Sequence, residues 1–86
     1  MKVYYHKPFI KKLRKLTAKL RQQAVSRLAL FADNPNHPKL ENHALKGKYR
    51  GMRSINMTGD YRAIFRCESD DVCLFVDIDN HNNLYS

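Results

Sequence analysis

Gly59-Asp60-Tyr61-Arg62-Ala63-Ile64-Phe65-Arg66-Cys67, the acidic run Glu68-Ser69-Asp70-Asp71, and Val72-Cys73-Leu74-Phe75-Val76-Asp77-Ile78 form the stretch that decides the fold. Aromatic and β-branched residues recur with period two on both sides of a polar turn, which predicts a hairpin of strands over 61–67 and 72–78. Parity assigns the faces. Tyr61, Ala63, Phe65 and Cys67 share one side, and Arg62, Ile64 and Arg66 share the other. On the second strand Val72, Leu74, Val76 and Ile78 form an apolar row expected to face a covering layer, with Phe75 and Asp77 on the open side. Upstream, Thr58-Gly59-Asp60 reads as a tight turn and 50–57 as a third strand, with Ser54 and Asn56 expected on the open face.

Further towards the N-terminus the period changes. Residues 2–6 read as a short strand, and Pro8 suits the first position of a helix. Phe9, Leu13 and Leu16 then recur at helical spacing, opposite Lys11, Lys12, Arg14 and Lys15. Thr17 is placed to cap a second helix with the apolar line Leu20, Ala24, Leu28 and Phe31, which Asn34-Pro35 stops. Residues 34–47 read as a loop, with room for a helical turn around 40–44. The expected fold is α+β: an N-terminal strand and a helical hairpin packed on one face of a small antiparallel sheet. The open face then carries Ser54, Asn56, Arg62, Arg66 and Asp77. Polar residues there are ordinary in a half-covered sheet and do not by themselves indicate function.

A chain of 86 residues supports one domain, 1–86, around a single core. The formal net charge of +8 is carried entirely by the N-terminal part. Residues 1–32 hold nine Lys or Arg and no carboxylate, whereas 33–86 net −1. A merely solubilising surface mixes signs, so the imbalance points to a polyanionic partner. No apolar run spans a membrane. The stretch MKVYYHKPF lacks the apolar core of a secretion signal, so a cytoplasmic protein is expected. Cys67 and Cys73 form no CxxC pair or disulfide framework and are expected to be small buried thiols in a reducing compartment. His6, His37, His43 and His81 lack zinc-site spacing, and no metal or cofactor is expected.

Several phrases occur in a particular order: FIKKLRKL at 9–16, His43-Ala44-Leu45-Lys46-Gly47, Tyr49-Arg50-Gly51-Met52-Arg53-Ser54, Gly59-Asp60-Tyr61-Arg62-Ala63-Ile64-Phe65, and the ending from Phe75 through His81 to Tyr85. Together they resemble the RelE/ParE toxin superfamily, in particular its RelE and YafQ-like branch of bacterial toxin–antitoxin systems. The resemblance implies a small ribosome-dependent endoribonuclease that cuts mRNA and is silenced by a cognate antitoxin. It implies catalytic roles for His43, Asp60 and His81. It places Lys46, Lys48, Arg50, Ser54, Asn56, Tyr61, Arg62 and Tyr85 along the RNA. Lys11, Lys12, Arg14, Lys15, Lys19 and Arg21 are the expected dock for 16S rRNA of the ribosome, and an acidic, partly disordered antitoxin is the expected protein partner. The chain departs from the pattern in three places. Asn56 stands where YafQ-like members carry histidine and RelE members lysine, Asp77 lies near a YafQ arginine, and Asp79-Asn80 replaces glycine-threonine.

The chemistry suits these residues. Metal-free RNA cleavage needs a base for the 2′-OH, cations for the phosphate and an acid for the departing 5′ oxygen. Histidine can serve at either end near neutral pH. The expected assignment is His81 as acid, His43 or Asp60 as base, Arg62 and Lys46 on the phosphate, and Tyr85 stacked on a base. Two other readings compete. A ParE-like toxin of the same fold would inhibit gyrase and cleave nothing. A weakened relative would retain only antitoxin or RNA binding, a reading favoured by Asn56 and Asp77.

Overall fold

A computed structural model describes residues 1–85, with Tyr85 described by its backbone alone. The elements are β1 (Lys2–Tyr5), α1 (Lys7–Lys15), α2 (Ala18–Asp33), β2 (His43–Ala44), β3 (Arg53–Thr58), β4 (Tyr61–Ser69), β5 (Val72–Asn80) and α3 (His81–Tyr85). The strands form one five-stranded sheet in the order β1-β5-β4-β3-β2. β1 pairs parallel to β5, and the other neighbours are antiparallel. Helices α1 and α2 cover one face, so the expected α+β layering is present. Among the described residues no helix is long and apolar enough to cross a membrane.

Local sequence explains the helix boundaries. Pro8 lies in the first turn of α1, where its missing N–H costs no helical bond. The Thr17 hydroxyl accepts from the Leu20 N–H at 3.3 Å and starts α2, while extended Asn34 ends it. Lys12, Arg14 and Lys15 occupy the last turn of α1, where cations complement its dipole.

The core joins Phe9 of α1, Ala24, Leu28 and Phe31 of α2, and Ile55, Met57, Ala63, Phe65, Cys73, Phe75 and Ile78 of the sheet. Phe75 is its hub: ring centroids lie 5.5 Å from Phe9, 5.1 Å from Phe31 and 5.1 Å from Phe65. This overturns the expected facing of β5. The β4–β5 register steps from Ile64↔Asp77 to Phe65↔Phe75, leaving Val76 as an extra residue. Such a bulge shifts parity by one. Ile78 faces the helices as expected. Below the bulge, however, Cys73 and Phe75 turn inward in place of Val72, Leu74 and Val76.

Four further expectations are corrected. The helical turn is earlier, at Pro38–Leu40, and His43–Ala44 form an edge strand paired to β3. β3 begins at Arg53, because a second single turn over Gly47–Tyr49 and Gly51 at φ 89° hold the preceding residues out of the sheet. Cys67 and Cys73 sit opposite one another on β4 and β5 and are joined by a disulfide. The expected positions on adjoining strands hold, and the expected free thiols do not. Finally, the second face is not open throughout. Ser54 and Ile64 are fully buried outside the main cluster, as is Leu84 of α3, which packs against β5.

Candidate functional site

The hairpin register brings the expected catalytic residues towards one rim. Tyr61 opens β4 opposite Asn80, which closes β5. The residues just outside this pair, Asp60 and His81, are therefore neighbours, and the His81 N–H donates to the Asp60 carbonyl at 2.8 Å. Gly59 supplies the turn's left-handed residue at φ 52°, a conformation glycine adopts without a Cβ clash. The Thr58 hydroxyl bonds to Gln23 Oε1 and ties this turn to α2.

A cavity of about 450 Å³ opens beside the turn, lined by Leu20, Asp60, Tyr61, Arg62, Asn80 and His81 among others. A second, of about 340 Å³, is lined by Glu41, His43, Ala44, Leu45, Lys46, Arg62 and His81. Arg62 and His81 belong to both. Asp60 and Tyr61 reach only the first, and His43 and Lys46 only the second. The sheet order explains this arrangement. His43 pairs across to Ser54 on β3, and Asn56 on β3 pairs to Arg62 on β4, so Arg62 stands between the two sides.

The side-chain contacts define what each group can do. His43 Nδ1 lies 2.7 Å from the Glu41 carbonyl oxygen, which can only accept. Nδ1 is therefore the protonated nitrogen, and Nε2 carries the lone pair of the neutral ring. The Arg62 guanidinium folds back over the turn, donating to the Gly59 and Tyr61 carbonyls at 3.3 Å each. Both bonds are longer than an ordinary N–H···O hydrogen bond.

α3, which begins at His81, is fastened to β5 by Asp79 and Asn80. Asp79 Oδ1 accepts from Asn83 Nδ2 at 2.9 Å, and Asn80 Oδ1 accepts from the Asn83 N–H at 2.8 Å. Lys12 of α1 reaches Asp77 at 2.8 Å and Asp79 at 3.2 Å. Burial pushes the Asp79 carboxyl up, but the Asn83 amide, the Asn80 N–H and Lys12 together hold it below its ordinary range. The bond to Asp77 raises the Lys12 ammonium, against the opposing effect of burial, with Asp79 adding to the rise.

The remaining expected site residues are more dispersed. Lys48 and Arg50 are exposed on the segment before β3, with the Lys48 ammonium 5.2 Å from the Tyr49 ring centroid. Neither lines the two cavities. Ser54 is buried, its hydroxyl without a protein partner. Asn56 Nδ2 donates to Glu41 Oε2 at 2.7 Å, and its Oδ1 is buried without a partner. The Tyr85 side chain lies outside the described residues. Lys11, Arg14, Lys15 and Lys19 are exposed. Lys12 is ion-paired, and Arg21 donates to the Arg14 carbonyl at 3.0 Å, so these two bases also serve the fold. The sequence reading assigns none of Glu41, Leu20, Thr58 and Asn80 to the site. Only Asn80, beside His81 in the ending, carried a local signal.

Comparison with known proteins agrees with this architecture. Residues 3–85 match the family described as the ParE toxin of type II toxin–antitoxin systems, parDE. No curated protein matches the chain significantly. Among solved structures, YafQ from Escherichia coli strain BL21(DE3) superposes with a TM-score of 0.73 at 19% identity, covering 98% of this chain and 97% of YafQ. A YoeB/ParE toxin from Agrobacterium tumefaciens gives 0.76 at 15% identity, covering 94% and 99%. The archaeal RelE–RelB complex from Pyrococcus horikoshii gives 0.73 at 21% identity, covering 92% of each chain. At these identities the likeness to solved structures is one of fold, whereas the family match spans nearly the whole sequence. The chain belongs to the ParE toxin family of type II toxin–antitoxin systems, within the RelE/ParE superfamily.

Proposed function

We propose that this toxin is an endoribonuclease that cleaves mRNA on the ribosome. One observation carries the reading: His43, His81, Arg62 and Lys46 line a single cavity. That set supplies two proton-transfer groups and two cations around a space of ligand size. In the proposed reaction His43 Nε2 takes the proton of the 2′-OH as its oxygen attacks phosphorus. Arg62 and Lys46 hold the non-bridging oxygens while charge builds. His81 gives a proton to the 5′ oxygen as its bond to phosphorus breaks, leaving a cyclic 2′,3′-phosphate. Asp60, which lines the adjoining cavity and whose carbonyl accepts from the His81 N–H, is proposed to orient His81, and Tyr61 to offer a stacking surface. A base-stacking role for Tyr85 is part of the same proposal.

The exposed bases Lys11, Arg14, Lys15 and Lys19, with Lys12 and Arg21 beside them, form the proposed dock for 16S rRNA. Its binding should weaken steeply with salt. Ribosome action places the protein in the cytoplasm. An acidic antitoxin is the proposed partner, a reading supported by the solved RelE–RelB complex.

The family description, a ParE toxin, favours a second reading in which the target is gyrase and nothing is cleaved. Controlled expression in cells separates the two. The nuclease reading predicts rapid mRNA loss and translation arrest without a DNA-damage response. A DNA-damage response with intact mRNA would favour the gyrase reading.

A further inference from the structure

Glu41 combines three features and has no assigned role of its own in the proposed chemistry. Among the described residues it is the non-glycine residue with positive φ, at φ 47° and ψ 47°. It lines the cavity that holds His43, Lys46, Arg62 and His81. It also holds two neighbours at once: its carbonyl accepts from His43 Nδ1 at 2.7 Å, and its carboxylate accepts from Asn56 Nδ2 at 2.7 Å.

A left-handed position that ends a helical turn is normally given to glycine or asparagine, because a longer side chain makes the conformation costly. Such a residue persists when its surroundings over-determine it, and such positions gather at functional sites. Here the anchors come from three directions. The Glu41 N–H bonds to the Pro38 carbonyl at 3.3 Å, the carbonyl to the His43 ring on β2, and the carboxylate to Asn56 on β3. Each contact has a consequence in the cavity. The carbonyl selects one tautomer of His43 and leaves Nε2 as its accepting atom. The carboxylate dictates the sense of the Asn56 amide, since an oxygen facing an oxygen would be repelled. Asn56 Oδ1 is thereby turned away, buried and free of protein partners.

We infer that Glu41 is a positioning residue of the site: its left-handed backbone sets the His43 tautomer and its side chain fixes the Asn56 amide. The inference rests on the nuclease reading for its effect on rate, but its structural content does not. Three variants separate its parts. Glu41→Gln keeps an acceptor for Asn56. Glu41→Gly favours the left-handed backbone and removes the side chain. Glu41→Val opposes the backbone conformation and removes the acceptor.

Long-range nitrogen–proton NMR reads the His43 tautomer, the Asn56 side-chain amide signals read its anchoring, and single-turnover cleavage on programmed ribosomes reads the consequence. Glu41→Gln should resemble the parent. Glu41→Gly should keep the Nδ1–H tautomer, shift the Asn56 signals and lower the cleavage rate by about tenfold with substrate binding unchanged. Glu41→Val should mix the tautomers and lose about a hundredfold. An unchanged His43 tautomer in folded Glu41→Val, or unchanged Asn56 signals in Glu41→Gly, would overturn the inference. If the parent toxin cleaves no RNA, the nuclease reading fails while both NMR readouts still decide the role of Glu41.

Discussion

The His81 backbone N–H donates to the Asp60 carbonyl at 2.8 Å, closing the open end of the β4–β5 hairpin. Two residues distant along the chain thus leave the sheet side by side, and Arg62, two residues on from Asp60, joins them to the His43 side. The site follows from strand register rather than from any local motif.

Arg62 is the side chain common to both cavities besides His81. Replacing it with lysine retains a charge but loses the planar fork that grips a phosphate. We expect Arg62→Lys to lower single-turnover cleavage by about a hundredfold, and Arg62→Ala by more. Its present bonds are long and partly exposed, so thermal stability should change by about 0.5 kcal/mol or less. A large loss of stability with normal cleavage would contradict this role.

Phe75 and Val76 test the bulge. Phe75 is buried against three other phenylalanines, whereas Val76 is half-buried and outside the main cluster. Phe75→Ala should cost about 3–5 kcal/mol, enough to threaten folding of so small a domain, and Val76→Ala only about 1 kcal/mol. Urea unfolding of the two variants gives the comparison. Strict alternation along β5 predicts the reverse order.

That strand also marks how far the sequence could be read. The alternation in 61–67, the helical lines of α1 and α2, and the Thr17 cap were legible because each element's own residues determine it. The facing of Phe75 was not, because a bulge depends on the register of the partner strand and leaves no local sign. The edge strand at His43 is only two residues long, too short for a period to show. The candidate site was partly legible. Motif order indicated Asp60, Arg62 and His81, which one hairpin register brings together. Glu41 escaped because its importance lies in a backbone conformation that its residue type disfavours.

The Lys12–Asp77–Asp79 cluster predicts a pH dependence of stability. Asp79 titrates lower in the folded chain than in the unfolded one, so its contribution is present above about pH 4 and is lost as pH falls through the lowered value. Lys12 titrates higher when folded, so its contribution is present below about pH 10 and is lost as pH rises through the raised value. With the Lys12 side chain 43% exposed, the whole effect should be about 1 kcal/mol or less. Asp79→Asn should flatten the acid limb in urea titrations across pH. An acid limb unchanged in that variant would place its origin elsewhere.

The Cys67–Cys73 disulfide spans a sequence separation of six residues. Closing so short a loop in the unfolded chain should contribute about 2 kcal/mol. Thermal unfolding with and without a reductant should show that difference, and the Cys67→Ser, Cys73→Ser double variant should be insensitive to the reductant. The bond lies at the opposite end of β4 and β5 from His81 and Asp60, so cleavage by the folded double variant should match the parent.

Purified toxin added to ribosomes programmed with a defined mRNA, compared with its His81→Ala variant, tests the nuclease reading most directly. We predict cleavage within the A-site codon by the parent, little cutting of the same RNA without ribosomes, and a loss of at least about a hundredfold in the folded His81→Ala protein. Intact mRNA with the parent toxin, or equal cleavage by the variant, would contradict it.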